Sequence, residues 1–144
     1  MRCRFPLYLA AILFAALFGS AQQYQPTKVE RKAAPATSAA SGKEMFVNYC
    51  ASCHGKSGMG DGPAATALKV APVNLTELAK RNGGKYPALR VNAVLSGQAN
   101  LAAHGNTDMP VWGSVFRQMS GGREAEVQQR IANLNHYIES LQVK

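Results

Sequence analysis

The sequence predicts an all-α protein whose single globular domain spans residues 42–144. Residues 123–142 carry apolar side chains at steps of three and four, which is the spacing of one helix face. These positions are Val127, Ile131, Leu134, Ile138 and Leu141. No stretch of the sequence alternates between apolar and polar positions, as a half-buried strand would. A hydrophobic content of 47% is typical of a globular protein and excludes a disordered or collagen-like chain.

Residues 1–21 have the pattern of a secretory signal peptide. Arg2 and Arg4 precede the uncharged, apolar run 5–18, and small residues lead to a cleavage position after Ala21. The run is shorter than the roughly 20 residues that a membrane-spanning helix needs, so we expect cleavage and export to the periplasm. An uncleaved segment would instead anchor the protein in the membrane.

Residues 22–41 are predicted to form a flexible linker between the signal peptide and the domain. Pro26 and Pro35 disfavour regular structure there, and most of the other residues are small or polar. Such a segment buries too little apolar surface to offset the entropy that is lost when it becomes ordered.

Helices are predicted at both ends of the domain, with shorter helical segments between them. Ser41 is suited to cap the first helix, because Glu44 follows at the capping-box spacing. This helix should continue to His54 and end at Gly55, where a glycine-rich loop begins and runs to residue 63. The remaining predicted segments are short helices at 64–69, 74–82 and 87–95, an irregular stretch at 98–113, and the last helix at 123–142.

The first helix ends in Cys50-Ala51-Ser52-Cys53-His54, the C-x-x-C-H signature of c-type haem attachment. Two thiols three residues apart lie on the same side of a helix, so each can add to one haem vinyl group as a thioether. His54 is then held against the iron and supplies the proximal nitrogen. Covalent attachment of one haem c also explains how an exported protein keeps a close thiol pair without forming a disulfide.

Three other uses of the cysteine pair are less consistent with the sequence. A thioredoxin-like pair would lie at a strand-to-helix turn, and no βαβ pattern surrounds this one. A zinc site would need further ligands at suitable spacing, while His104 and His136 are the only other histidines. A structural disulfide remains an alternative, although it gives no role to His54.

A methionine is expected as the sixth iron ligand, because an exported His-ligated haem commonly takes this partner. Met109 is the preferred candidate, since it lies in an irregular loop and is followed by Pro110. His104 is the competing ligand and would lower the reduction potential relative to methionine. Met45 is expected in the core. Met59 lies only five residues after His54 and cannot easily reach the opposite face of the haem, while Met119, just before Gly121-Gly122, is a weaker rival.

With these motifs, residues 42–144 resemble a class I cytochrome c of the small bacterial monohaem type. The resemblance rests on the C-x-x-C-H motif, on the loop of Met109 and Pro110, and on Trp112-Gly113 after it. It implies a fold in which helices wrap around one covalently attached haem. It also implies a close crossing of the first and last helices through Gly42, Phe46, Leu134 and Tyr137.

The resemblance further implies partners for the haem and for its proximal ligand. In this family, the carbonyl of a proline after the motif often accepts the proximal His N–H, and Pro63 is the candidate here. Trp112, Asn74 and Arg90 are candidate partners of the haem propionates. The alternative role of Trp112 is packing in the core, and that of Asn74 is to cap a helix. The alternative for Arg90 is that of an ordinary exposed residue of a solvated face.

The function implied by the resemblance is transfer of one electron at a time between protein redox partners. With His54 and Met109 on the iron, no position stays open for oxygen or peroxide, so we do not expect an enzyme. The alternatives are a haem enzyme or sensor with an open sixth position, and a haem subunit of a larger oxidoreductase. The chain would accordingly be a monomer or a subunit of a redox complex.

The formal charge of +8, which includes Arg2 and Arg4, is compatible with acidic or membrane-bound redox partners. Nucleic acid is not expected as a partner, because the sequence has no basic-aromatic repeat. The alternative to a role in partner binding is that these charges only keep the protein soluble. The residues that would surround the exposed haem edge are Lys56, Lys69, Lys80, Arg81, Lys85 and Arg117.

Overall fold

The structure is a computed structural model that describes residues 34–99 and 109–143. Within these ranges the regular elements are all helical, which confirms the predicted all-α class. The predicted signal peptide and residues 22–33 of the predicted linker lie outside them. The α-helices are α1 (Gly42–Met45), α2 (Ala51–His54), α3 (Leu78–Arg81), α4 (Ala88–Ser96), α5 (Trp112–Met119) and α6 (Glu124–Ser140). None of these helices is long and apolar enough to cross a membrane.

The first helix begins where the sequence predicts. Ser41 Oγ accepts a hydrogen bond from the backbone N–H of Glu44 at 3.1 Å. The Glu44 carboxylate in turn accepts from the backbone N–H of Ser38 at 3.2 Å. This pair of bonds resembles a capping box, except that the carboxylate reaches past the cap to a residue further upstream.

A π-helical turn, Phe46–Cys50, separates α1 from α2, so the first helical segment is not the regular α-helix that the sequence predicts. The backbone N–H of Ala51 bonds to the Phe46 carbonyl, five residues back. Such turns are rare inside α-helices and are frequent at functional sites. The π-turn contains Cys50 and therefore sets the direction in which the motif continues from α1.

The predicted crossing of the first and last helices is present. A Cβ atom added at Gly42 would meet the Asn133 backbone and lie 2.9 Å from Tyr137 Cβ. The rings of Phe46 and Tyr137 lie 5.3 Å apart beside the crossing. Only glycine permits this approach of α1 to α6, which fixes the first helical segment against the C-terminal helix.

The hydrophobic core lies where α4, α5 and α6 pack around the first helical segment. Phe46, Phe116 and Leu134 are fully buried in it, and α4 contributes Leu95. The apolar face predicted for the last helix is buried in α6, which confirms that element. Helix α5 is not predicted: its first two residues lie in the stretch expected to be irregular, and no element is predicted for residues 114–119.

Residues 35–41, which we call the N-terminal strap, pack on the domain and are not part of a flexible linker as predicted. The Tyr49 hydroxyl donates to the Pro35 carbonyl at 2.6 Å. Asn133 Nδ2 donates to the Ala39 carbonyl at 2.8 Å. The strap is ordered by hydrogen bonds to its backbone rather than by apolar burial, so its composition did not reveal the contact.

A buried arginine holds the middle of the strap. Arg130 of α6 donates through Nη1 to the Thr37 carbonyl at 3.0 Å and to Thr37 Oγ1 at 3.2 Å. Its Nη2 donates to the Glu126 carboxylate at 2.9 Å. Hydrogen bonds from Arg123 and then from Arg130 lower the pKa of Glu126 from its usual value to about 2. The carboxylate thus balances the charge of a guanidinium that is almost fully removed from solvent.

Replacement of Gly42 by alanine should destabilise the protein by about 1–3 kcal/mol, the usual cost of overpacking. The added methyl group meets the backbone of α6, which cannot rotate away as a side chain would. The gain in helix propensity, at most about 1 kcal/mol, should not compensate. Urea unfolding followed by circular dichroism measures the difference, with Lys43→Ala on the exposed side of the same turn as control. Equal or greater stability of Gly42→Ala would contradict the close crossing.

The lowered pKa of Glu126 predicts a pH-dependent contribution to stability. Because its folded-state pKa is about 2 and its usual value is 4.5, the contribution is full above about pH 5 and is lost as the pH falls toward 2. Glu126→Gln should therefore be less stable than the wild type at pH 7. The two unfolding free energies should converge as the pH falls through about 2. Glu139→Gln, which loses only an exposed contact to His136 on the same helix, is the control.

Candidate functional site

Cys50 and Cys53 are both free thiols and lie one helical turn apart, at the end of the π-turn and inside α2. Cys50 is only 7% exposed, whereas Cys53 is half-buried. Burial, followed by the proximity of Cys53, raises the pKa of the Cys50 thiol to about 12. At neutral pH this group is therefore an uncharged thiol held against the core.

The glycine-rich loop folds back onto the end of α2 and caps it. The backbone N–H of Gly60 donates to the His54 carbonyl at 2.8 Å, and that of Gly62 donates to the Cys53 carbonyl at 3.1 Å. A Cβ atom at Gly62 would lie 2.6 Å from Cys53 carbonyl carbon, so no side chain fits there. The loop satisfies carbonyl groups that would otherwise be left free at the helix end and so makes the motif rigid.

The same loop brings residues 72–75 next to the motif. Leu75 donates its N–H to the Gly58 carbonyl at 2.7 Å. Gly60 has a φ of +88°, and its α-carbon faces the carbonyl of Pro72 so closely that a Cβ atom would lie 2.5 Å from that oxygen. Glycine is required at this position by both the backbone conformation and the contact. The consequence is that the Val73 carbonyl lies beside the imidazole of the motif.

His54 Nδ1 lies 3.1 Å from the carbonyl oxygen of Val73, so its hydrogen-bond partner is not the carbonyl of Pro63. The assignment of Pro63 to that role is wrong because Pro63 belongs to the loop that caps the helix end. The imidazole instead points to the segment that this loop supports. A carbonyl can only accept, so Nδ1 carries the proton and the lone pair is left on Nε2. Burial lowers the pKa of His54, while the bond to Val73 acts in the opposite direction.

Trp112 packs against the π-turn, next to the attachment motif. It is 7% exposed, and its ring stacks on Tyr49 with 5.1 Å between ring centroids. Phe116 completes a three-ring cluster at 5.9 Å from both. Because Tyr49 directly precedes Cys50, this cluster connects α5 to the first attachment position.

Met109 and Met119 differ in their surroundings. Met109 is 37% exposed and lies just before α5, next to residues 100–108, which the structure does not describe. Met119 is half-buried with its sulfur 3.6 Å from the Tyr49 hydroxyl, so it packs against the aromatic cluster. Met45 is fully buried, as expected. The rival ligand His104 lies outside the described residues.

Two of the residues considered as propionate partners have other surroundings here. The Asn74 side chain caps the following turn by accepting from Thr76 N–H at 2.9 Å and from Thr76 Oγ1 at 2.7 Å. Asn74 therefore has the capping role that was the alternative to binding a propionate. Arg90 lies on the exposed side of α4.

Several of the basic residues expected around the site are paired with acids. Arg81 and Lys80 approach the Glu77 carboxylate at 3.0 and 3.9 Å, and Arg117 approaches Glu124 at 3.3 Å. These exposed pairs contribute little to stability. They do reduce the net positive charge that these positions present to a partner.

The donor set of the motif fits a c-type haem. Two free thiols are available for thioether bonds, and the imidazole has its Nδ1 proton committed to a backbone carbonyl, which leaves Nε2 for a metal. A zinc site is less consistent, since no group of three His, Cys, Asp or Glu in residues 34–99 and 109–143 is placed to hold a metal ion. The described cysteines are also not joined in a disulfide.

One protein-family model matches residues 37–121 of the chain, and its description is cytochrome c oxidase, cbb3-type, subunit III. The match is longer than half of the chain. It begins within the N-terminal strap, includes the C-x-x-C-H motif, Met109 and Trp112, and ends just after α5. No curated protein and no solved structure matches the chain.

Proposed function

Since the chain belongs to the family of cbb3-type cytochrome c oxidase subunit III, we propose that it carries single electrons between redox partners on one covalently bound haem c. The observation that supports this most directly is the bond of His54 Nδ1 to the Val73 carbonyl beside two free thiols. Such a backbone acceptor orients a metal-ligating histidine and increases its basicity.

The residues of the site have separate roles in this proposal. Cys50 and Cys53 would hold the haem through thioether bonds, and His54 would bind the iron through Nε2. The haem, when bound, supplies reversible one-electron chemistry at iron. Val73 keeps the imidazole in one tautomer and one orientation, while the aromatic cluster excludes water from the side of Cys50. An environment of this kind favours the less charged ferrous state and raises the reduction potential.

The sixth ligand is proposed to be Met109. Its position before Pro110 and α5 keeps it out of the core, with its side chain accessible. Met119 is engaged with Tyr49 and belongs to the packing of α5. With both axial positions occupied, the protein would transfer electrons without itself binding oxygen or peroxide. We therefore propose a carrier rather than an enzyme.

We propose that the domain works in the periplasm, after export directed by residues 1–21 or anchored by them. The matched family description also supports a second function, that of the haem-bearing subunit of a terminal oxidase. Purification from the cells that make the protein, with a mild detergent to solubilise the membranes, separates the two. Stable association with a larger oxidoreductase would support the subunit, and recovery as a lone chain would support the free carrier.

An optical redox titration of the purified protein tests the proposed function. We expect a reversible transition that follows a one-electron Nernst curve, with a six-coordinate, low-spin spectrum in both states. A five-coordinate, high-spin ferrous spectrum would instead support the haem enzyme or sensor. The absence of any haem transition would contradict electron transfer altogether.

Met109→Ala should remove the weak near-infrared charge-transfer band of a sulfur–ferric bond and lower the reduction potential, because the soft thioether that favours ferrous iron is lost. The variant should also bind cyanide more tightly, since the sixth position becomes accessible. Met119→Ala is the matched control and should keep the band. Persistence of the near-infrared band in Met109→Ala would contradict the assignment of Met109 as the sixth ligand. Loss of the band in Met119→Ala would identify Met119 as the ligand instead. If both variants keep the wild-type spectrum, His104 becomes the candidate.

A further inference from the structure

We propose that Tyr49 is a positioning residue for the haem site and that the N-terminal strap is therefore a working part of this site. The inference rests on the proposed function, because it concerns how Trp112 and Cys50 are held beside the haem. Tyr49 contacts both the strap and Trp112. Its hydroxyl binds the strap, and its ring stacks on Trp112.

A chain of hydrogen bonds with one direction runs from Arg130 of α6 through the hydroxyl groups of Thr37 and Tyr49 to the Pro35 carbonyl. The Pro35 carbonyl and the Met119 sulfur can only accept, and the carbonyl is far nearer, at 2.6 against 3.6 Å, so the single hydroxyl hydrogen of Tyr49 is used on Pro35. The 2.7 Å contact between Tyr49 and Thr37 must then be donated by Thr37 Oγ1. Arg130 in turn donates to Thr37 Oγ1 at 3.2 Å. Donors in such a series polarise one another, so the chain holds the Tyr49 oxygen more firmly than one bond would.

The other end of Tyr49 faces the site. The ring is inclined by only 26° to the Trp112 ring at a centroid distance of 5.1 Å. The Tyr49 backbone lies within the π-turn, one residue before Cys50. The strap is therefore linked to the first attachment cysteine and to the indole through the Tyr49 side chain.

This arrangement makes a specific prediction about the strap. Loss of the hydroxyl anchor should let the Tyr49 ring tilt, and the stacked indole should follow it. Because a looser indole admits water toward the haem, the reduction potential should fall. A residue that only stabilised the fold would lower the melting temperature but leave the folded site unchanged.

The test compares Tyr49→Phe and Thr37→Val in the full-length holoprotein. Trp112 is the single tryptophan of the chain, so its near-ultraviolet circular dichroism reports one site. Tyr49→Phe should lose most of the tryptophan fine structure and should titrate at a lower potential. Thr37→Val should show both changes in the same direction but smaller. Tyr137→Phe, the same chemical change in the ring pair formed with Phe46, should match the wild type.

A wild-type tryptophan signal and potential in Tyr49→Phe would overturn the proposal, even if the variant melted at a lower temperature. If Tyr49→Phe does not fold, Thr37→Val decides with the same two measurements, and wild-type values there would overturn it as well. A failure of the proposed function is distinguishable, because a protein that binds no haem still gives the Trp112 signal. In that case the tryptophan spectrum alone tests the link between the strap and the indole.

Discussion

The site depends on the hydrogen bond between His54 and the carbonyl of Val73, two residues separated by a loop and a short turn. The bond is possible only because the glycine-rich loop caps the end of α2 and, on its other side, packs against residues 72–75. Gly60 is where both contacts meet. A larger residue there would separate the Val73 carbonyl from the imidazole and leave both ring nitrogens without a defined role.

The rest of the fold holds the other end of the motif. The first helical segment is pinned to α6 where Gly42 meets Asn133, and the core forms around Phe46 beside this crossing. The π-turn then redirects the chain so that Cys50 is buried while Cys53 stays half-exposed. The strap binds the Tyr49 hydroxyl and so holds the residue that directly precedes Cys50. The motif is thus fixed from two directions, by a loop after it and by a helix crossing before it.

The features that the sequence predicts correctly are those with a local pattern. The cap at Ser41 and the apolar face of α6 follow from spacing or residue type, whereas the close approach at Gly42 is implied by the resemblance to class I cytochromes c. The partner of His54 could not be predicted in this way, because a backbone carbonyl has no sequence signature. The one local signal near it is Asn74, which caps the turn that follows and so fixes the backbone next to Val73.

The strap and α5 were missed for different reasons. The strap consists of small residues that bury little apolar surface, so composition indicates a linker, but its carbonyl groups accept hydrogen bonds from side chains distant in sequence. Helix α5 is short, and its buried residues Trp112, Gly113 and Phe116 pack on the first helical segment and α6 rather than forming a long apolar pattern along the sequence. In both cases the deciding contacts involve Tyr49 or Arg130, whose hydrogen-bond and stacking partners no local pattern predicts.

The most direct test of the account is the mass of the purified full-length protein, measured before and after extraction with acidified acetone. If Cys50 and Cys53 hold one haem, the polypeptide should carry the mass of a single haem and keep it through extraction. Cys53→Ala should yield less of this species, because one thioether bond cannot form. A wild-type chain that loses its haem to the solvent, or that carries none, would contradict the central claim.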